Sequence, residues 1–170
     1  MNLRCVVMGV SGCGKSTVAA ALAQRTGATY VDGDALHPPA NIAKMARGAA
    51  LTDDDRWPWL ASVGDRLRPG GIVIACSALK RSYRDLIVRQ ARQPVTFLHL
   101  DGTREVLADR MAHRHRHFMP LSLLDSQLAT LERPGSDEDA VIVSIDQPVD
   151  MIVTRFLTTI RFTDPLEKSQ

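Results

Sequence analysis

The chain has 170 residues, 45% of them hydrophobic and 24% charged, with a formal net charge of +2. That is the length of one domain with a sizeable core, and so small a charge excludes nucleic acid and membrane surfaces as electrostatic partners. The longest apolar runs fall far short of a bilayer span, and three cysteines (Cys5, Cys13, Cys76) without CxxC spacing exclude a disulfide framework or zinc ribbon.

Short apolar runs alternate with helical patterns along the chain. Residues 3–9 (LRCVVMG) read as a buried strand, and 15–26 as a helix with an Ala/Leu face closed by Gly27. No room is left before that strand for a signal peptide, so a cytoplasmic protein is expected. Residues 28–32 (ATYVD) are a second strand. Helical patterns follow near 38–48 and 56–67, and the PGG at 69–71 breaks the chain. Residues 72–76 (IVIAC) form the third strand, 80–92 a helix ended before Pro94, and 95–100 (VTFLHL) the fourth strand. Helices near 103–115 and 120–132 precede the turn RPGSDE, 140–145 (AVIVSI) is the fifth strand, and a last helix spans 149–161 ahead of a frayed tail.

Strands alternating with helices predict parallel pairing through right-handed crossovers, hence an α/β three-layer sandwich around a five-stranded parallel sheet. Strands that are apolar throughout fit burial on both faces. There is no internal repeat.

Residues 9–16 (GVSGCGKS) match G-x-x-x-x-G-K-[ST], placed directly between a strand and a helix, the context that the motif requires. In such a loop Gly9, Ser11, Gly12, Cys13 and Gly14 turn backbone N–H groups toward a phosphate, and the helix start at Ser16 and Thr17 adds its positive end. Lys15 would reach the β and γ phosphates of ATP, and the Ser16 hydroxyl would ligate Mg²⁺. A GTP switch is excluded: the only asparagines are Asn2 and Asn41, so there is no N-K-x-D, and no aspartate has a glycine three positions on.

Asp32-Gly33-Asp34 falls at the end of the second strand, near the edge where open α/β sheets bind ligands. Two carboxylates two apart on a strand share a side. Asp34 would then orient an acceptor hydroxyl and take its proton, with Asp32 assisting the metal. The plainer alternative is a solvated turn with helix-capping aspartates. The run TDDD at 52–55 reads as a helix start, capped by Thr52 or an aspartate.

Residues 8–16, 32–60 (DGDALHPPANIAKMARGAALTDDDRWPWL) and 76–85 (CSALKRSYRD) together resemble gluconokinases of the small P-loop type, part of the nucleoside-monophosphate-kinase-like group that also holds shikimate kinases. The resemblance runs over at least residues 8–148. It implies one P-loop kinase domain over residues 1–170, with a substrate-binding helical segment at about 35–67 and a helical lid at about 110–135. The implied reaction is transfer of the γ-phosphate of ATP to the 6-hydroxyl of D-gluconate, giving 6-phospho-D-gluconate and ADP, with relatives pointing to a homodimer.

A sugar acid needs cations mixed with donors and acceptors. His37, Asn41, Lys44 and Arg56 of the family segment can supply these, with Lys80, Tyr83 and Arg84 from the helix after the third strand. Arg56 and Arg84 are both candidates for the bidentate grip on the carboxylate. Trp57 and Trp59 read as packing residues. Arg110 and Arg114 match lid arginines that would meet charge on the transferring phosphoryl group. Gln147 and Pro148 match the loop that carries adenine. His113, His115 and His117 alternate with arginines, a setting that argues against zinc.

Overall fold

The computed structural model describes residues 2–113 and 120–163. Five strands alternate with seven helices: β1 (Arg4–Met8), α1 (Lys15–Thr26), β2 (Thr29–Asp32), a single 3-10 turn (Gly33–Leu36), α2 (Pro39–Ala46), α3 (Asp53–Leu67), β3 (Ile72–Ala75), α4 (Arg81–Ala91), β4 (Thr96–Asp101), α5 (Arg104–Ala112), α6 (Leu121–Thr130), β5 (Ala140–Ser144) and α7 (Val149–Thr163). The strands form one parallel sheet in the order β2-β3-β1-β4-β5. The expected five-stranded α/β sandwich is therefore present.

Alternation along the inner strands sends side chains to two separate cores. Cys5, Val7, Val73, Ala75, Leu98 and Leu100 pack under α1, α5, α6 and α7. Val6, Met8, Ile72, Ile74 and Phe97 pack under Trp59, Leu60, Val63 and Leu67 of α3 and Tyr83 and Ile87 of α4. Burial on both faces is why these strands read as unbroken apolar runs.

Two element boundaries depart from the periodic pattern. The helical pattern reads only from near 56, but α3 starts at Asp53, as the capping reading of 52–55 implies, with Thr52 and Asp55 forming a reciprocal capping box. The second departure concerns the two aspartates. β2 ends at Asp32, and Asp34 sits in the 3-10 turn, with the Asp32 carboxylate accepting the Asp34 N–H at 3.0 Å. The pair does not share a strand face; Asp32 caps the turn that presents Asp34.

α6 is docked on the body. Leu124 is fully buried, Leu128 and Leu131 pack on the core, and Arg104 grips Asp125 through a fork of 2.6 and 3.0 Å. Residues 121–132 of the expected lid thus lie against the sheet sandwich. Arg114, His115 and His117 lie outside the described residues.

Candidate active site

Every strand of a parallel sheet points its carboxyl end the same way, so five loops gather at one edge. The loop after β1 takes the shape expected of a phosphate cradle. Gly9, Gly12 and Gly14 have φ of 144°, 85° and 89°, a region open to glycine. A Cβ on Gly9 would also stand 2.8 Å from Cys13 Sγ and 3.0 Å from the Leu100 carbonyl. Gly14 caps α1 with no side-chain hydrogen bond, and the first turn has no acidic residue. The positive end of α1 and its first amides are thus left for an anion. Lys15 Nζ lies back over the loop at 3.1 Å from the Val10 carbonyl, and Ser16 and Thr17 are exposed.

Donor side and acceptor side meet over the end of β3. Burial pushes the Cys76 thiol up to about 12; the charges of Asp34 and Asp32 push the same way, and Lys15 opposes them. Asp32 pairs with Ala75 in the sheet, and a Cβ on Gly33 would stand 3.2 Å from Cys76 Cβ, so the turn that carries Asp34 rests on the end of β3. The two loops are joined directly, Gly9 N–H donating to the Ser77 carbonyl at 3.3 Å.

Arg110, from the last turn of α5, lies beside the phosphate loop: its Nη2 donates to the Ile145 carbonyl at 2.6 Å, and its Nη1 is 3.9 Å from where a Cβ on Gly14 would be. That contact also brings the loop after β5 to the cradle. There Gln147 Nε2 closes a turn onto the Ser144 carbonyl at 2.7 Å and Pro148 precedes α7.

The acceptor wall is built by α2, α3 and α4. Trp59 donates its indole N–H to the Gly33 carbonyl at 2.8 Å and stacks on His37 with ring centroids 4.1 Å apart. The Asn41 amide donates to the Asp55 carbonyl at 2.8 Å and to His37 Nδ1 at 3.2 Å. With Nδ1 accepting, the proton sits on Nε2, which faces the Asp34 carboxylate at 4.0 Å. Burial lowers the His37 pKa, so this ring is neutral at neutral pH.

Two carboxylates organise the cations. Asp53 accepts from the Tyr83 hydroxyl and from Lys80 Nζ at 2.9 Å, with Arg56 Nη1 at 3.6 Å. The Tyr83 hydroxyl first, then Lys80, holds its pKa below the usual carboxylate range. Asp55 accepts from Lys44 Nζ at 2.6 Å and from Thr52, which pulls it down to about 2. Lys44, Arg56 and Lys80 face these two carboxylates, so the group carries one spare positive charge for an anionic ligand.

Arg84 is the exception among the expected ligands. Its side chain is 1% exposed, forks onto Glu138 at 2.6 and 3.0 Å, and donates its remaining Nη1 to the Ala78 and Leu79 carbonyls. The donors that a substrate carboxylate would need are all used internally. Arg84 shapes the loop after β3 instead, including Ala78 at φ 44°, and Arg56 is left as the arginine of the wall. Asp53, Asp55, Trp59 and Glu138 are the site residues that motif reading missed as such. Capping and packing patterns marked the first three without their second task, and nothing local marks Glu138.

Residues 5–134 match a family model described as an AAA domain. A gluconokinase of Gluconobacter oxydans is 52% identical over 157 residues, covering 89% of this chain and 88% of that protein. The crystal structure of a gluconokinase from Sinorhizobium meliloti superposes with a TM-score of 0.83 at 48% identity, over 96% of this chain and 98% of that one. The chain belongs to the gluconokinase family. A shikimate kinase from Bacteroides thetaiotaomicron shares the fold at a TM-score of 0.68, but at 16% identity over 94% of this chain and 98% of that one.

Proposed function

We infer that the protein is an ATP-dependent gluconokinase, forming 6-phospho-D-gluconate and ADP. The observation that carries this reading is the meeting of the phosphate loop and the Asp32–Asp34 turn at the end of β3, beside a wall with one spare positive charge.

The phosphate-loop amides and Lys15 hold the triphosphate, except the Ser11 N–H, which the motif turns toward a phosphate but which instead donates to Gln127 at 2.6 Å. Asp34 accepts the proton of the 6-hydroxyl as that oxygen turns toward the γ-phosphorus. Arg56, Lys80 and Lys44 bind the carboxylate and hydroxyls, while Asn41 and Tyr83, buried with their donors committed to Asp55, His37 and Asp53, hold the wall in shape. Arg110 stands where charge develops on the phosphoryl group. Arg114 takes the matching role only by resemblance.

Ser16 and Asp32 would hold Mg²⁺. The fit is reasonable: Ser16 is exposed at the head of α1, and only Asp32 Oδ1 is engaged in the turn. Among the described residues no group of three metal-binding side chains occurs, so phosphates and water would supply the remaining ligands. When bound, it would neutralise charge on the β and γ oxygens. The reading carries with it a cytoplasmic homodimer, for which light scattering of the purified protein is the check.

The test is ADP release from the protein with Mg-ATP and D-gluconate, shikimate, AMP or no acceptor. Turnover confined to gluconate is the expected result. Equal slow hydrolysis in all four would leave the nucleotide site standing and overturn the acceptor.

A further inference from the structure

One group of contacts is not used by the chemistry above. The Gln127 carboxamide oxygen, on α6, accepts the Ser11 N–H of the phosphate loop at 2.6 Å. Five residues on, Glu132 reaches the other side of the site. Its Oε2 accepts the Arg81 N–H at 2.7 Å, and its own N–H donates to the Leu79 carbonyl at 2.9 Å.

Both contacts fall where the backbone has little else to hold it. Ser11 follows Val10 and precedes Gly12, in a loop with three glycines at positive φ (Gly9, Gly12 and Gly14). α4 begins after Lys80 with no side-chain cap of its own. Glu132 supplies that cap from 51 positions away and sets a negative charge at the positive end of the helix. Lys80 and Tyr83 of the acceptor wall hang from this same helix start. Ahead of both contacts α6 is held by the buried Leu124 and by the Arg104–Asp125 fork, and Glu132 follows two residues after the helix ends at Thr130.

We propose that α6 is a strut that sets the phosphate loop at a fixed distance from the acceptor wall, with Gln127 and Glu132 as its positioning residues. It rests on gluconate being the acceptor. In-line transfer needs reacting atoms about 3–3.5 Å apart, and a misplacement of about 1 Å can cost roughly 10²-fold. Donor and acceptor are held by different loops, joined at their bases by the Gly9–Ser77 hydrogen bond, and α6 supplies a second link that fixes the distance between them. Loosening it leaves both ligands bound but misaligned, and lets water compete for the phosphoryl group.

The experiment compares wild type with Gln127→Leu, Glu132→Ala and Glu132→Gln, measuring ADP and 6-phosphogluconate in the same reaction, at a temperature where each variant is folded. Gln127→Leu and Glu132→Ala are expected to lower kcat about 10- to 100-fold, with KM for gluconate little changed and more than one ADP formed per 6-phosphogluconate. Glu132→Gln keeps an acceptor for the Arg81 N–H and is expected to retain most of kcat and tight coupling. A lowered Tm with kcat and the product ratio unchanged would make α6 a brace only and overturn the strut. Equal losses in Glu132→Gln and Glu132→Ala would overturn the role of the Arg81 contact. Wild-type protein that forms no 6-phosphogluconate overturns the acceptor itself, a result distinct from variants that match an active wild type.

Discussion

Arg84 and Glu138 lock together beneath the loop after β3, Nε to Oε1 at 2.6 Å and Nη2 to Oε2 at 3.0 Å, with side chains 1% and 8% exposed. A pair this dry is stable only while both members are present, since either one alone is a buried uncompensated charge. Arg84→Met should therefore cost about 3–5 kcal/mol, read as a fall in the urea midpoint. At a temperature where the variant stays folded, KM for gluconate should move little. A raised KM at unchanged stability would return Arg84 to the substrate.

The inward turn of Arg84 marks where the sequence stops being legible. The cradle is local: strand, loop and helix are contiguous, so Gly9 to Ser16 could be placed by motif alone. The capping box is local too, and Thr52 stands where the residues imply. Asp53 is different, because its partners Lys80 and Tyr83 lie 27 and 30 positions away and come near only when α3 packs on α4. Glu138 is 54 positions from Arg84. Gln127 sits in an ordinary amphipathic stretch, and only its 116-residue reach to Ser11 gives it a task. The strand reading of Asp32 and Asp34 failed for a smaller reason: the chain tightens into a 3-10 turn one residue after Asp32, which ends the period-2 alternation.

Gly33 separates those two aspartates, and its role is steric. A Cβ there would lie 2.4 Å from the Ala75 carbonyl and 3.2 Å from Cys76 Cβ, so the turn would have to lift away from β3. Gly33→Ala should displace Asp34 and lower kcat about 10²-fold, with stability down by about 1–3 kcal/mol. Steady-state kinetics and thermal melts read both. Full activity in a folded Gly33→Ala protein would mean that the turn need not touch β3.

Asp34→Asn isolates the proton transfer from the position. The side chain is exposed, so no fold contact is lost beyond the 4.0 Å approach of His37. Turnover should fall about 10²- to 10⁴-fold, while ADP affinity measured by calorimetry stays at the wild-type level. Unchanged turnover would remove Asp34 from the reaction.

Asp53→Ala tests the wall. Without that carboxylate Lys80, Tyr83 and Arg56 lose a shared anchor. KM for gluconate should therefore rise by about 10- to 100-fold, with KM for ATP unchanged. An equal rise in both would mean that Asp53 supports the whole edge of the sheet rather than the sugar acid.

Acid stability should be governed first by His99, on β4. Its side chain is 1% exposed and, among the described residues, its Nδ1 has no hydrogen-bond partner. Burial drives its pKa from 6.5 down to about 4; Asp101 pulls it back up, and the guanidinium groups of Arg133 and Arg84 push it further down. The folded chain thus resists a proton that the unfolded chain accepts. Stability is whole above pH 6.5 and falls as pH drops toward 4, by up to about 3 kcal/mol. His37, lowered by its own burial, adds to the same slope. Asp55, held down at about 2 by Lys44, acts in a separate window: its contribution is lost only as pH falls below 3.8. His99→Leu removes the first term. Its urea midpoint should therefore change less between pH 7.5 and 5 than that of wild type, and an identical pH slope would show that His99 takes up its proton without cost to the fold.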